Sequence, residues 1–513
     1  MDNKKTMTII LGDRLDLEEF MAVVRGGATV EFSEEYVNRV NKARALVEKW
    51  TREEHVMYGV TTGFGVLCTK VITSEEAAQL QHNIVASHST SVGRPLSIEA
   101  VRGTMLMVLQ NLGQGNSGVR IEVLERYRDF LNRGITPWAP GDGSVGYLSP
   151  EAHMARVIEG NGKAYYQGEL MEASWVLAKA GIDPMPLASK EGLTLTSGTT
   201  SPTAMAAIVL YDMINAAKCA DIIGALTLEN VRGTIRAFDE RVCKVRPHSE
   251  QAGTADNVRR ILGDSEVIQN CVGERLQDAL SLRCIPQLHG AAKKTLYDAR
   301  KTIETEMNSC CDNPIIWTEE GEEDVISACN CDSAYVGIEM DSAAIAATNL
   351  AKISERRNNR LIDGTSQPFY PACMVANPGL NSGLMIPQYT QAGLLNEMRI
   401  LSHPATVDNT PTCAGQEDYV AMGYNAAKKA LSISEKLEYI LAIELLGDYQ
   451  AQYFTGGWEP RGSVSQAIYQ EIGAHLPLIE HDTFLYDHIE FLHSLIHNGL
   501  LREKAEAIVG ALA

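Results

Sequence analysis

Features that define several common protein classes are missing from this sequence. No run of about 18 apolar residues occurs, so no transmembrane helix is predicted. Positive charge is in deficit, since 45 lysines and arginines stand against 65 aspartates and glutamates, for a formal net charge of -20. That balance argues against nucleic acid or an anionic membrane surface as a partner, and it favours solubility.

Motifs for structural metal sites and disulfide frameworks are missing as well. The 11 cysteines are an odd number without a Cys-x-x-Cys pair, which is typical of reduced thiols in a cytosolic protein. Among the C-terminal histidines only His493 and His497 have the spacing of neighbouring helical ligands, and no His-Glu-x-x-His motif occurs, so we predict no metal site. The early acidic residues Asp13 and Asp16 argue against a secretory signal, and we expect a cytoplasmic protein.

The sequence that is present divides into two parts. Up to residue 200, helical stretches alternate with glycine-rich loops such as 62–65, which can bring backbone N–H groups close to a ligand. We predict a mainly α fold, with an N-terminal mixed loop and helix domain over 1–200 that carries the active site and a long central helical bundle over 201–513. The segments that predict the bundle are long, rich in alanine and poor in helix breakers: 203–229, 333–360 and 417–447.

A series of short motifs follows in a fixed order along the chain. Each motif alone is a weak signal. Together, over a chain of this length, they resemble the aromatic amino acid ammonia-lyase family, and histidine ammonia-lyases most of all. In order, the motifs are Tyr58-Gly59-Val60-Thr61-Thr62-Gly63-Phe64-Gly65, Ser87-His88, Gly143-Ser144-Val145-Gly146 with Pro150 and Ala152-His153, Lys190-Glu191-Gly192-Leu193 with Gly198-Thr199, Gln277-Asp278 with Ser281-Leu282-Arg283-Cys284-Ile285-Pro286-Gln287, Asn308-Ser309 with Asp312-Asn313-Pro314, Ile353-Ser354-Glu355-Arg356-Arg357, Leu380-Asn381-Ser382-Gly383 with Met385-Ile386-Pro387-Gln388-Tyr389, and Gln416-Glu417-Asp418.

The resemblance implies a fold, a reaction and a prosthetic group. The fold would be the fumarase/aspartase-like helical architecture, assembled as a homotetramer whose active sites are shared between subunits. The reaction would be the elimination of ammonia from L-histidine to give urocanate. The electrophile that holds the departing amine would be 4-methylidene-imidazol-5-one (MIO), formed autocatalytically from an Ala-Ser-Gly tripeptide, with no dissociable cofactor.

That tripeptide is missing at its expected place. Tyr147 follows Gly146 directly, whereas the family has Ala-Ser-Gly between the residues that match these two. In one interpretation the chain has lost the tripeptide and is inactive or reacts in another way. In the other, the matured group lies between Gly146 and Tyr147 as one modified residue, which a sequence written only in standard amino acids does not show. Because the flanking motifs are kept, the sequence favours the second interpretation.

The resemblance also assigns roles to individual residues. Tyr58 would be the base that takes the β-proton, and since a free phenol titrates near ~10, it needs positive charge or hydrogen bonds to act near neutral pH. Arg283 would clamp the substrate carboxylate through two parallel hydrogen bonds. Gly146 and Tyr147 would flank the prosthetic group. The amides of Gln277 and Asn313 would bind the substrate or the prosthetic group, although they could equally stabilise loops. The remaining substrate-binding positions are Ser197, Asn330 and Gln416.

Two positions bear on the choice of substrate. His88 follows Ser87 as in histidine ammonia-lyases, and Glu417 matches a glutamate that phenylalanine- and tyrosine-selective relatives lack. A buried carboxylate can accept a ring N–H of an imidazole substrate. A phenyl ring would leave it desolvated and unpaired, at a cost on the order of several kcal/mol. These residues favour histidine.

Other positions depart from the family pattern and leave the substrate less certain than the reaction class. One alternative is a lyase or a 2,3-aminomutase for another aromatic amino acid. Another is a non-catalytic homologue, if the tripeptide is truly absent. A fumarase-like lyase is disfavoured because its signature loop is not seen. The departures are Tyr147 for Asp, Ser197 for Asn, Leu280 for Tyr, and Cys331-Asp332 for Phe-His.

Overall fold

The computed structural model describes residues 7–73, 76–367 and 369–513. The chain divides into two compact units. The first unit contains the predicted domain 1–200 together with two later segments, which carry Asn313 and Glu417. The first unit is Met1–Tyr211, Arg300–Asp341 and Pro404–Lys428, and the second is Asp212–Ala299, Ser342–His403 and Lys429–Ala513.

Helices dominate the described residues, which confirms the predicted mainly α fold. No helix in this part of the chain has the length and apolar composition that crossing a membrane requires. Short 3-10 helices occur at Gly65–Leu67, Ile235–Phe238, Ala372–Met374, Cys413–Gly415 and Ala451–Phe454. The α-helices are α1 (Leu17–Val24), α2 (Glu34–Arg52), α3 (Ala77–His88), α4 (Ile98–Leu112), α5 (Ile121–Arg133), α6 (Pro150–Ile158), α7 (Ala173–Ala180), α8 (Glu191–Thr196), α9 (Thr200–Asn230), α10 (Glu240–Lys244), α11 (Ser249–Ile261), α12 (Glu266–Asn270), α13 (Leu280–Arg283), α14 (Ile285–Met307), α15 (Ala334–Ile362), α16 (Met385–Leu401), α17 (Gly423–Gln450), α18 (Ser463–Gly473), α19 (Tyr486–His497) and α20 (Leu500–Val509).

The strands are short and belong to the first unit. Strand β1 pairs with β2 in parallel, and the antiparallel pairs are β3 with β5, β4 with β6, β6 with β7, and β8 with β9. The strands are β1 (Thr8–Leu11), β2 (Thr29–Phe32), β3 (Val92–Pro95), β4 (Thr136–Pro137), β5 (Pro140–Asp142), β6 (Lys163–Tyr166), β7 (Glu169–Glu172), β8 (Ile315–Trp317) and β9 (Asp324–Ile326).

The long helices predicted from composition are present as α9, α15 and α17. Helix α9 is buried nearly all round, which is how an apolar, alanine-rich helix behaves in a core. Helix α17 begins at Gly423 rather than near 417, because Met422 has a φ of 53° and cannot continue an α-helix. The residues around Glu417 are therefore a loop.

A buried ion pair lies inside the second unit. Arg357 and Glu444 are both 0% exposed and form a two-bonded ion pair, with Nε–Oε1 at 2.6 Å and Nη2–Oε2 at 2.8 Å. Thr227 and Ser354 donate hydroxyl hydrogen bonds to the same carboxylate. An ion pair is tolerated in a core when its charged atoms all have hydrogen-bond partners. This network of hydrogen bonds joins α9, α15 and α17 in this unit.

A second buried ion pair organises the first unit. The Nζ of Lys190 lies 2.5 Å from Oδ2 of Asp312, and the two side chains are 0% and 1% exposed. Thr194 donates to the same carboxylate oxygen at 3.0 Å. Lys190 precedes α8, which leads into Ser197, and Asp312 precedes Asn313. The pair therefore fixes two predicted site residues relative to each other.

Gln81 connects three further segments of this unit. This buried residue of α3 donates from Nε2 to the Gly59 carbonyl at 3.2 Å, and its Oε1 accepts from the Leu193 N–H at 3.1 Å. Gly59 has a φ of 64°, and a Cβ there would lie 2.3 Å from the Leu193 side chain, so only glycine fits. Because α3 ends at His88, the Tyr58 turn, His88 and α8 are held together.

Glu151 is a buried carboxyl at the start of α6. Its Oε1 accepts hydrogen bonds from Ser201 N at 3.1 Å and from Thr200 Oγ1 at 3.3 Å, at the start of α9. Burial raises the pKa of Glu151 from 4.5 to about 7 despite these hydrogen bonds. The folded state therefore prefers the protonated carboxyl.

We expect the Lys190–Asp312 ion pair to be needed for stability. Lys190→Met leaves Asp312 charged and unpaired in the interior, at a cost of about 3–5 kcal/mol in the free energy of unfolding. The control is Lys163→Met, which removes a surface lysine 4.0 Å from Glu172 with both side chains about half exposed; its cost should be under about 1 kcal/mol. Equal urea-denaturation midpoints for the two variants would contradict the role of the pair.

We expect Glu151 to make stability depend on pH. Because its folded pKa is about 7 against 4.5 for the ordinary carboxyl, the stability it contributes is complete below pH 4.5 and is lost as the pH rises through 7, by roughly 3 kcal/mol. Glu151→Gln stays neutral and should lose less stability over this range than wild type. Glu169→Gln, at an exposed site, should follow wild type. Parallel pH profiles of the urea midpoint for both variants would refute the expectation.

Candidate active site

Tyr58 lies in the turn after α2, and its surroundings disfavour the phenolate. The phenol oxygen accepts a hydrogen bond from the Gly65 N–H at 2.9 Å. Burial raises the pKa of Tyr58, and Glu417, Cys68 and Cys331 raise it further, while the Gly65 N–H lowers it. A base role near neutral pH therefore requires an additional positive charge close to the phenol.

The loop that carries Glu417 packs against the Tyr58 turn. Thr412 donates its N–H to the Glu417 carbonyl at 2.8 Å, which closes the loop. Val66 donates its N–H to Cys413 Sγ at 3.4 Å, and a Cβ on Gly65 would lie 2.6 Å from that sulfur and 3.9 Å from Glu417 Oε1. The second carboxylate oxygen, Oε2, is buried without a hydrogen-bond partner among the described residues. Such an oxygen demands a donor or a cation.

His88 ends α3 and faces the same turn. Its Nδ1 lies 2.7 Å from the Ile84 carbonyl, which assigns the proton to Nδ1. Its ring lies against Phe64, with the ring centroids 5.2 Å apart. Burial lowers the pKa of His88. The side chain is therefore a neutral imidazole beside the Tyr58 turn.

The junction between Gly146 and Tyr147 is a strained turn. Leu148 and Ser149, neither of them glycine, have φ values of 66° and 79°, a region that costs roughly 1–2 kcal/mol for each L-residue. The Ser144 hydroxyl reaches the carbonyls of Tyr147 at 3.1 Å and Leu148 at 3.3 Å, and it accepts from Gly146 N–H at 3.4 Å. These bonds hold the turn closed.

Ser333 occupies the space beside this junction. A Cβ on Gly146 would lie 2.4 Å from Ser333 Oγ, and a Cβ on Gly423 would lie 2.3 Å from it. The hydroxyl is buried and has no hydrogen-bond partner in the described part of the chain. Sequence reasoning missed Ser333; the departure at Cys331-Asp332 just before it is the signal that points there.

Tyr147 lies among acidic groups. Burial raises its pKa, and Cys331, Glu417, Cys329 and Asp332 raise it further. Glu417 and Cys331 thus act on both Tyr147 and Tyr58, which brings the two phenols into one neighbourhood. We refer to Tyr58, Tyr147, Glu417 and Asp332 as the acidic aromatic cluster.

Ser197 contacts this neighbourhood through a thiol. It is buried at the end of α8 and hydrogen-bonds Cys331. Burial and the neighbouring Cys329 raise the pKa of Cys331 to about 12, so the thiol stays protonated at neutral pH. Ser197 therefore lines the cluster.

The three amide residues predicted in this unit have different environments. The Oδ1 of Asn313 accepts from the Ala328 N–H at 2.8 Å, and Nδ2 of Asn330 donates to the Cys310 carbonyl at 3.4 Å. Gln416 is exposed on the Glu417 loop. Asn313 and Asn330 thus stabilise loops, and substrate roles for these amides stay predictions.

Gln277 and Arg283 are described in the second unit. Gln277 is exposed, whereas its neighbour Asp278 is buried and accepts from the Thr234 N–H at 2.6 Å. Arg283 ends α13, half-buried, and its Nε has no hydrogen-bond partner among the described residues. A guanidinium in that condition has donors to spare for a carboxylate.

His493 and His497 share a carboxylate partner in the second unit. Glu438, 2% exposed, lies 2.9 Å from Nδ1 of His497 and 3.2 Å from Nε2 of His493. The ligand atoms of Asp212, Glu438 and His497 lie within 4.8 Å of one another. Sequence spacing could not indicate this grouping, because the acidic residues come from other helices.

Comparisons with known proteins agree with this geometry. The model of the aromatic amino acid lyase family matches residues 15–474. Histidine ammonia-lyase 1 of Fusobacterium nucleatum is 42% identical over 511 residues, covering 99% of each chain.

Two solved structures extend the comparison. The crystal structure of histidine ammonia-lyase from Trypanosoma cruzi has a TM-score of 0.91 at 33% identity, with 98% of this chain and 96% of that chain covered. The ergothioneine-degrading enzyme ergothionase from Treponema denticola, in complex with desmethyl-ergothioneine sulfonic acid, has a TM-score of 0.89 at 27% identity, with 96% and 99% covered. The chain belongs to the aromatic amino acid lyase family.

Proposed function

We propose that the protein is a carbon–nitrogen lyase that forms urocanate from the histidine skeleton, by removing a proton from the β-carbon and the nitrogen from the α-carbon. With L-histidine, the second product is ammonia. The observation that carries the proposal is that Tyr58, His88 and Glu417 meet in one unit. It is supported by 42% identity to a histidine ammonia-lyase over 511 residues.

The contacts of His88 and Glu417 suit an imidazole ring. Since Nδ1 of His88 donates to Ile84, its Nε2 is an acceptor, and burial favours the neutral form. The buried Oε2 of Glu417 is a second acceptor. A ring N–H of the substrate satisfies such an acceptor, whereas a phenyl ring leaves it unpaired.

Tyr58 is the base in this proposal, and it needs a cation. Burial and the acidic groups Glu417, Cys68 and Cys331 raise its pKa, so the phenolate forms only when positive charge is brought close. The substrate brings such a charge on its α-nitrogen. We propose that Arg283 clamps the carboxylate of a substrate, since its Nε has no hydrogen-bond partner among the described residues.

We further propose a cytoplasmic homotetramer in which the active sites are shared between subunits and Gln277 and Arg283 bind substrate. Apolar side chains near Gln277 and Arg283 favour a subunit interface there, since Leu276 is fully exposed and Leu280 is 61% exposed. Light scattering of the purified protein measures the subunit number directly.

The residues of this chain do not fit the methylidene-imidazolone that the family uses. The group is made from Ala-Ser-Gly, and here Gly146 is bonded to Tyr147. Ser144 holds the turn closed, and Ser333 fills the space beside Gly146. In the family the group is the electrophile that holds the departing amine; this chain would have it only with an insertion at the junction.

Tyr58→Phe tests the proposed function. Urocanate formation should fall by about 100-fold or more, because the general base is lost. Tyr166→Phe, in β6 and outside the cluster, should retain the rate of the unmodified protein. The proposal is wrong if Tyr58→Phe keeps most of the activity while circular dichroism shows both variants folded.

Peptide mass spectrometry across residues 144–149 tests the junction. We expect the mass of a chain in which Gly146 is joined to Tyr147. A peptide heavier by Ala-Ser-Gly less two waters would supply the electrophile, and ammonia would then be the expected leaving group.

A further inference from the structure

Without the electrophile, the base of the enzyme meets two competing protons on the substrate, one on the α-nitrogen and one on the β-carbon. In a primary amino acid the α-ammonium N–H is far more acidic than the β-carbon C–H, since an α-amino group titrates near ~8. A base close to both therefore removes the N–H first. In the family the prosthetic group solves this by binding the nitrogen, and the residues at Gly146 and Tyr147 do not provide that group.

The acidic aromatic cluster has the charge and the aromatic side chains that suit a bound cation. The Glu417 Oε2 is buried without a hydrogen-bond partner among the described residues, beside the turn that carries Tyr58. Tyr147 takes the position where the family has Asp, so an aromatic face is added at the junction. Aromatic faces next to a carboxylate are the surroundings in which proteins bind quaternary ammonium groups.

A cation at this place would also activate the base. Glu417 and Cys331 both oppose ionisation of Tyr58. A permanent positive charge lowers the pKa of the phenol, and unlike a primary ammonium it has no N–H to compete for the phenolate.

We propose, on the basis of the lyase function above, that the leaving nitrogen of the substrate is quaternary: the protein eliminates trimethylamine from the Nα-trimethyl betaine of an imidazole amino acid. Ergothioneine, the compound degraded by the structural relative from Treponema denticola, is a betaine of this class. The acidic aromatic cluster holds the trimethylammonium, and His88 faces the imidazole ring.

The step is balanced without any further reactant. The Tyr58 phenolate takes the β-proton, and the C–H electron pair becomes the second bond between the β- and α-carbons. The bond from the α-carbon to nitrogen breaks, and trimethylamine leaves as a neutral molecule that keeps the electron pair of that C–N bond as its lone pair. Tyr58 then releases its proton to solvent. Histidine betaine gives urocanate, trimethylamine and one proton.

The test is a comparison of two substrates on the purified full chain. Nα,Nα,Nα-Trimethyl-L-histidine and L-histidine are incubated separately, urocanate is followed by its absorbance, and trimethylamine or ammonia is measured by NMR. We expect kcat/KM for the betaine to be at least about 100-fold higher, because Tyr58 acts productively as a base only on the betaine.

The outcomes separate this inference from the proposed function. Faster release of ammonia from L-histidine would overturn the quaternary leaving group and leave the lyase function standing. No urocanate from either compound would overturn both. Urocanate and trimethylamine in equal amounts from the betaine, with little or no turnover of L-histidine, supports both.

Variants of the cluster test where the cation binds. Tyr147→Ala should raise KM for the betaine by about 2–30-fold, since it removes an aromatic face, and Tyr147→Phe should raise it less. Glu417→Gln should raise KM for the betaine by about tenfold, while inhibition by urocanate, which has no ammonium, changes less. Tyr486→Ala, at a 69% exposed site of the second unit, is the matched control. Equal effects of Glu417→Gln on betaine and urocanate would overturn the cation site.

Discussion

The first unit depends on one buried ion pair, Lys190 with Asp312. The pair is kept in the interior because each charge has the other, with Thr194 as an added donor. It connects the start of α8 to the segment before Asn313, two parts of the chain 122 residues apart. Gln81 adds the Tyr58 turn and α3 to the same frame. The candidate site residues Tyr58, Tyr147 and Glu417 lie in loops, and these internal polar links give the loops a fixed position.

Acidic side chains lie near Tyr58, the candidate base, within this part of the first unit. Carboxylates and thiols act on Tyr58 and Tyr147, and both phenols have raised pKa values. Such a pocket is unfavourable for an anionic ligand and favourable for a cationic one. Burial and the neighbouring acidic groups keep Tyr58 protonated in the free protein, and in the proposed reaction a cationic substrate offsets their effect. Binding and activation of the base are thus one electrostatic event.

Sequence patterns predicted the long helices, which depend on residues that are close together in the sequence. Long alanine-rich segments with few helix breakers predicted α9 and α15, and α9 is buried nearly all round. The start of α17 was placed too early, because nothing in the sequence signals the left-handed backbone of Met422. The Lys190–Asp312 pair and the contact of Ser333 with Gly146 could not be predicted, since they join residues distant in sequence. The family resemblance pointed to Tyr58 and Glu417 as candidates, but only the structure shows that burial and acidic groups raise the pKa of Tyr58.

Because the junction at Gly146 and Tyr147 lacks the electrophile, the substrate itself must carry a nitrogen that can leave. An elimination needs a leaving group that departs without the base being consumed by a more acidic proton. Where a protein carries an electrophile, it can meet that need for a primary amine. Here the turn is closed by Ser144, Ser333 fills the adjacent space, and Tyr147 adds an aromatic face beside Glu417. A quaternary nitrogen meets the same need by its own structure, so the retained base and carboxylates remain useful only if the substrate brings that nitrogen.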